Sequence, residues 1–167
     1  PRLDGMELRL LLQVVLLHTA FHQRQGEIRA VDGDGDVREQ VWDGADVVFG
    51  VGSLTGNGAI AAAKEYGKWA IGVDTDQYYT LLNEQDIILT SCLKRMDRAV
   101  AQVVSAALEN QFWGGTRYVG TLANHGVGLA PYHDFDEQIP ERLKKEIMDI
   151  QRRILEGTLA TGWPEEK

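Results

Sequence analysis

The chain carries one cysteine in 167 residues, Cys92, has fewer basic than acidic side chains, and contains no apolar run long enough to cross a bilayer. A lone cysteine excludes an internal disulfide framework and a cysteine-rich metal site; it leaves the compartment open, because many exported proteins have no disulfide. Lys and Arg number 17 against 25 Asp and Glu, giving a formal charge of −8. No basic run interrupts that balance, which argues against a broad nucleic-acid footprint. The apolar stretch Leu8 to Leu17 is interrupted by Arg9 and Gln13 and is too short and too polar to span a membrane. The residues after it, His18 to Arg29, lack a clear small-residue cleavage site, so a buried helix or strand fits it better than a signal-peptide core. His18, His22, His125 and His133 form no spacing that points to a metal or a catalytic dyad, and no nucleophile-base pair is evident. The expectation is a protein without catalytic residues, metal or cofactor.

What is present is enough for one ordinary domain with a core. From Ala45 onward the pattern is regular: an apolar, β-branched run from Ala45 to Val51, an alanine-rich helix from Gly56 to Tyr66, and a second apolar run from Trp69 to Val73. A third strand is expected within Asp86 to Cys92, then a helix capped by Asp97 and reaching about Phe112, with Val100, Val103, Val104, Ala107 and Leu108 on one face. The Gly114-Gly115 pair turns the chain into an expected fourth strand, Thr116 to Leu122, after which Gly126, Gly128 and Pro131 mark a loop or broken strand. A last helix is expected to start at Asp136 or Gln138 with Pro140 in its first turn. Its apolar positions are Ile139, Leu143, Ile147, Ile150 and Ile154, and Gly157 stops it. This divides the chain into a less regular segment, 1–42, an α/β lobe, 43–157, and a loose tail, 158–167.

Within the first segment, Asp32-Gly33-Asp34-Gly35-Asp36 resembles the start of a calcium loop with Asp43 at the twelfth position. The sixth position is Val37 where the sharp bend wants glycine, so a solvated acidic turn is the better reading. Gly50-Val51-Gly52 with Gly56 and Gly58, lying between a strand and a helix, is a loose dinucleotide-fold signature, and Asp74 stands where an acidic residue would meet a ribose. Thr55 occupies the place of the third glycine, so an NAD-type enzyme and a solute-binding protein remain as alternatives on the residues alone. Asp74 and Asp76 end an apolar strand at the carboxyl edge of a parallel sheet, where open α/β folds collect ligands. An ionised carboxylate there accepts from two neighbouring hydroxyls, Gln77 can donate beside it, and Lys94, after the third strand, can donate to sugar oxygens or pair with Asp74. Phe49 ends its own strand and is either core or a stacking platform.

Five segments in order, Gly44 to Phe49, Thr55 to Gly58, Trp69 to Gln77 (Trp-Ala-Ile-Gly-Val-Asp-Thr-Asp-Gln), Thr90 to Arg95 (Thr-Ser-Cys-Leu-Lys-Arg) and Gly126 to Leu129, resemble the Bmp, or basic membrane protein, family of substrate-binding lipoproteins for ABC importers. That family includes purine nucleoside receptors. The resemblance implies a type I periplasmic-binding-protein-like α/β fold, mainly its carboxyl-terminal lobe, with parallel strands and flanking helices. It implies a non-enzymatic, extracytoplasmic, lipid-anchored protein that hands a nucleoside-like solute to an ABC permease and does not bind nucleic acid. By position, Asp74 and Lys94 would hold the ribose hydroxyls, with Asp76 and Gln77 beside them. Phe49 would flank the base, and Gly52, Ser53 and Leu54 would offer backbone contacts. Ser53-Leu54 stands where the resemblance implies paired glycines, which bears on the backbone approach there. The amino-terminal lobe of the family has no counterpart in residues 1 to 42, and the chain opens at Pro1, so a truncated or mature chain is expected. An apolar face should then lie exposed where the other lobe would pack.

Overall fold

The computed structural model describes residues 45–111 and 114–161. The Leu8 to Leu17 stretch, the acidic turn at Asp32 to Asp36 and the end of the tail lie outside the described residues. Four strands form one sheet in the order β1 (Val47–Phe49), β2 (Trp69–Asp74), β3 (Ile88–Lys94), β4 (Val127–Leu129). The first three are parallel and β4 runs antiparallel to β3. Between β1 and β2 lies helix α1 (Leu54–Glu65), β3 leads into α2 (Met96–Leu108), and α3 (Glu141–Leu155) closes the lobe.

Parallel strands need cover on both faces, and the side-chain alternation supplies it. Val48, Ala70 and Ile88 point to one face and pack with Ala59, Ile60, Ala62 and Ala63 of α1. Val47, Ile71, Leu89 and Cys92 belong to the other, with Phe135, Ile139, Leu143 and Ile147 from the α3 side. The alanines let α1 lie close to the sheet, and glycine makes its entry possible. A Cβ at Gly56 would stand 2.5 Å from the Gly50 carbonyl oxygen, and one at Gly50 would stand 2.6 Å from Ile60 Cγ1. At the far end of α1, Gly67 takes a φ of 64° and donates to the Lys64 carbonyl, turning the chain straight into β2.

The expected strands at 45–51, 69–73 and 86–92 are therefore present and parallel, with bounds shifted by a few residues. Gln85–Ile87 is a 3-10 turn ahead of β3, and β3 carries one extra residue, since Ala70 faces Ile88 while Ile71 faces Thr90. The expected strand at Thr116 to Leu122 is not one. The place beside β3 is taken by Val127–Leu129 and extended by Ala130, whose N–H reaches Ser91 O at 2.9 Å. Asn124 instead folds 119–126 into a loop, its Oδ1 accepting from the N–H groups of Thr121 and Gly126. Pro140 sits just before α3, not inside it, and His133–Phe135 forms a separate 3-10 turn. Asp97 is not the cap of α2 either; it lies in the first turn and takes the Arg95 guanidinium through two bonds, 3.0 and 2.7 Å long.

Helix α2 departs from the two covered layers. Of its residues only Ala106 is buried, while Met96, Val100, Val103, Val104 and Leu108, on one face at helical spacing, are exposed. An apolar stripe left exposed among the described residues favours association. Sedimentation of the 167-residue chain should show concentration-dependent self-association. Val100→Glu with Val104→Lys should shift it toward monomer, while the unfolding free energy stays within about 0.5 kcal/mol because neither side chain packs on the core. Monomeric behaviour of the unsubstituted chain at all concentrations would contradict this.

Candidate functional site

The carboxyl ends of β1, β2 and β3 come together at one edge of the sheet, which holds Phe49, Asp74, Lys94 and, at the entry to α1, Gly52 to Leu54. Asp74 is the last residue of β2 and faces Leu93 of β3 in register. Lys94, the next residue, brings its Nζ to 3.9 Å from Asp74 Oδ1. Both side chains are more than half exposed, so the pair is weakly held and open to exchange for a ligand. An acceptor-only carboxylate beside a three-proton donor is matched to a neutral molecule with adjacent hydroxyls, each of which both donates and accepts.

The backbone at Asp74 is strained. Thr75 N–H returns to Val73 O at 2.8 Å and closes a three-residue turn around Asp74, whose φ is 67°. A non-glycine residue at the centre of such a turn costs of order 1–3 kcal/mol. Ser53 is strained as well, with φ 57° and ψ −125° beside Gly52 at φ 123°. Gly52, Ser53 and Leu54 are exposed at the entry to α1, Leu54 at 82%. The implied paired glycines would suit the backbone here; Ser53 holds the same shape at a cost.

Asp76 and Gln77 turn inward. Gln77 is buried and its amide is bonded at both ends: Oε1 accepts from Val73 N–H at 2.9 Å, and Nε2 donates to Asn57 Oδ1 of α1 at 2.8 Å. Its own N–H reaches Ser91 Oγ of β3 at 3.0 Å. Asp76 Oδ2 accepts from His133 Nε2 at 2.8 Å, and Oδ1 is buried with no partner among the described residues. His133 stacks on Tyr78 with ring centroids 4.0 Å apart and meets the edge of Tyr79. Tyr78 donates to Asp134, a bond that, with burial, raises its pKa. Neither Gln77 nor Asp76 is thus presented to the cleft edge as Asp74 is. Phe49 ends β1 at the same edge, half-buried, with its ring against the core on the α3 side.

Sequence reasoning missed His133, which lies 57 residues from Asp76 and carries no local pattern. It also took Gln77 for a ligand donor, since only the fold shows where its amide is spent. Among the described residues no cluster of three or more His, Cys, Asp or Glu could hold a metal, and no helix is long and apolar enough to cross a membrane.

Residues 38–160 match the Bmp family, described as ABC transporter substrate-binding protein PnrA-like. The CD4+ T-cell-stimulating antigen of Listeria monocytogenes is 33% identical over 129 residues, 70% of this chain and 35% of that protein. Basic membrane protein A2 of Borrelia garinii subsp. bavariensis is 31% identical over 146 residues, 84% of this chain and 41% of that protein. The chain thus spans 35% and 41% of the length of these two relatives. Among solved structures, an ABC transporter solute-binding protein from Aeropyrum pernix K1 is similar with a TM-score of 0.67 at 21% identity, over 80% of this chain and 45% of that one. Another, from Conexibacter woesei, has a TM-score of 0.59 at 19% identity, over 76% of this chain and 40% of that one. These likenesses show the fold, an α/β lobe of the periplasmic-binding-protein type.

Two outcomes follow from the geometry. Asp74→Gly and Ser53→Gly should each raise the unfolding free energy by about 1 kcal/mol, because glycine takes positive φ without a Cβ clash; a denaturant series in which both variants lose stability would show the turns to be unstrained. The Cys92 thiol is pushed up to about 12 by burial. Its raised folded-state value means that stability is fully present below the unfolded thiol pKa, near 9, and is lost as pH rises from there toward 12. Thiol labelling at pH 8 should be slow in the native protein and fast in urea.

Proposed function

Since this chain belongs to the Bmp family of PnrA-like ABC transporter substrate-binding proteins, we propose that its residues 43–157 are the solute-holding lobe of such a protein, which takes a purine nucleoside or related ribosylated solute and presents it to an ABC permease. The observation that carries this reading is the Asp74–Lys94 pair at 3.9 Å on adjacent strand ends. One carboxylate and one ammonium in that arrangement can bracket two vicinal ribose hydroxyls, the carboxylate accepting from both while the ammonium donates to their lone pairs. Gly52, Ser53 and Leu54 offer backbone groups nearby, and Phe49 one aromatic edge for the base. Asp76 and Gln77 act from behind the contact surface.

The work is binding, not catalysis. A solute-binding protein of this family acts outside the cytoplasm, and a lipid anchor in the full-length protein would hold it at the membrane beside its permease. The NAD-enzyme alternative gains nothing from the relatives, which are substrate-binding proteins.

A lobe with one wall of a cleft cannot desolvate a nucleoside fully, so the test uses the chain extended to the length of its relatives. There Asp74→Asn keeps the shape but exchanges an acceptor oxygen for a donor, and the lost charge-assisted bond should cost about 1.5–3 kcal/mol, or roughly one to two decades in affinity. Lys94→Met should weaken nucleosides too, and both changes should spare free bases. Titration calorimetry with adenosine, guanosine and adenine reads this directly. Equal losses for nucleoside and base would reject the ribose assignment, and tight NAD binding without a nucleoside response would favour the cofactor enzyme.

A further inference from the structure

We propose that Gln77, fastened by Asn57 of α1 and Ser91 of β3, is the positioning residue that holds Asp74 in its strained turn and ties that turn to the Gly52–Leu54 loop, so that the two parts of the site move as one unit. The proposal rests on the reading of Asp74 as a hydroxyl acceptor. A left-handed turn around a non-glycine residue persists only where its surroundings over-determine it. Here the strand residue before Asp74 is held by the Gln77 side chain, through Val73 N–H to Oε1 at 2.9 Å, and the residue after it by Thr75 N–H to Val73 O at 2.8 Å. Gln77 cannot shift without breaking two further bonds, to Ser91 Oγ on β3 and Asn57 Oδ1 on α1.

The space for this clamp is specific. A Cβ at Gly72 would lie 2.7 Å from Gln77 Oε1 and 2.5 Å from Ser91 Oγ, so the carboxamide lies against bare β2 backbone that any other residue would fill. Asn57 is in the first turns of α1, and its own N–H bonds to Ser53 O at 3.0 Å. The chain of contacts therefore runs from Ser53 through Asn57 and Gln77 to Val73, the neighbour of Asp74. Gln77 is buried and bonded at both ends of its amide inside the lobe, which fits a residue that acts through Asp74.

The test is chemical complementarity in the chain extended to the length of its relatives. Asn57→Asp keeps an acceptor for Gln77 Nε2, and Gln77→Glu keeps an acceptor for Val73 N–H while the Asn57 amide turns to donate; each alone should leave the link in place. The two combined set carboxylate against carboxylate with no donor between, and should break it, as should Asn57→Ala. Nuclear magnetic resonance reads two quantities: the Asp74 coupling constant that reports φ, and the affinity for adenosine from shifts at Asp74 and Lys94. The linked variants should match the parent in both, while the unlinked ones should change the coupling and weaken adenosine about fivefold to tenfold. Thermal unfolding of Asn57→Ala guards against a folding defect, since alanine favours the helix. An unchanged Asp74 coupling in both unlinked variants would overturn the proposal. If the parent ignores adenosine yet the coupling follows the link as stated, the clamp stands and the nucleoside reading falls.

Discussion

Parallel pairing of β1, β2 and β3 is the constraint on which the rest of the lobe depends. Parallel strands cannot be joined by a tight turn, so each connection must cross a face of the sheet, and both faces must be roofed because a bare one would leave apolar side chains in water. The alternation Val47/Val48 and Ala70/Ile71 sends one residue of each pair to α1 and the other toward α3. With both faces closed, the strand ends are the remaining place where polar side chains can face a solute on a rigid frame. Asp74 and Lys94 stand at those ends.

Rigidity there comes with strain. Two non-glycine residues at the same edge, Ser53 and Asp74, hold positive φ, and what keeps Asp74 so is a set of buried hydrogen bonds that depends on the missing side chain of Gly72. A longer loop could place a carboxylate without strain, but its position would be loosely determined. The geometry favours definition over stability. The second carboxylate, Asp76, is drawn to His133 and joins the turn after β2 to the turn after β4. Neighbouring acidic residues two apart thus face opposite tasks.

Helix α2 shows how a local pattern can be right and its environment different. Its period and apolar face were legible from Val100, Val103, Val104 and Leu108, yet that face lies exposed instead of joining either core layer. The fourth strand fared differently. Thr116 to Leu122 has the residues of a strand, but a strand exists only where it pairs, and the segment that pairs with β3 is Val127–Leu129. Which segment pairs with a given strand is a property of the assembled sheet and has no local signature.

By itself the sequence determined the α/β class, the order of the first three strands and of the three helices but not the fourth strand, the family, and the placing of Asp74 and Lys94 at neighbouring strand ends. These follow from period, from turn residues and from motifs that are contiguous in the chain, which short-range physics can read. Only the tertiary structure decided that Gln77 is spent on Asn57, Ser91 and Val73, that Asp76 belongs to His133, and that Asp74 sits in a strained turn. Those facts depend on hydrogen-bond partners 14, 20 and 57 residues away, and a polar side chain carries no mark of which partner it will meet until the sheet has brought the two together.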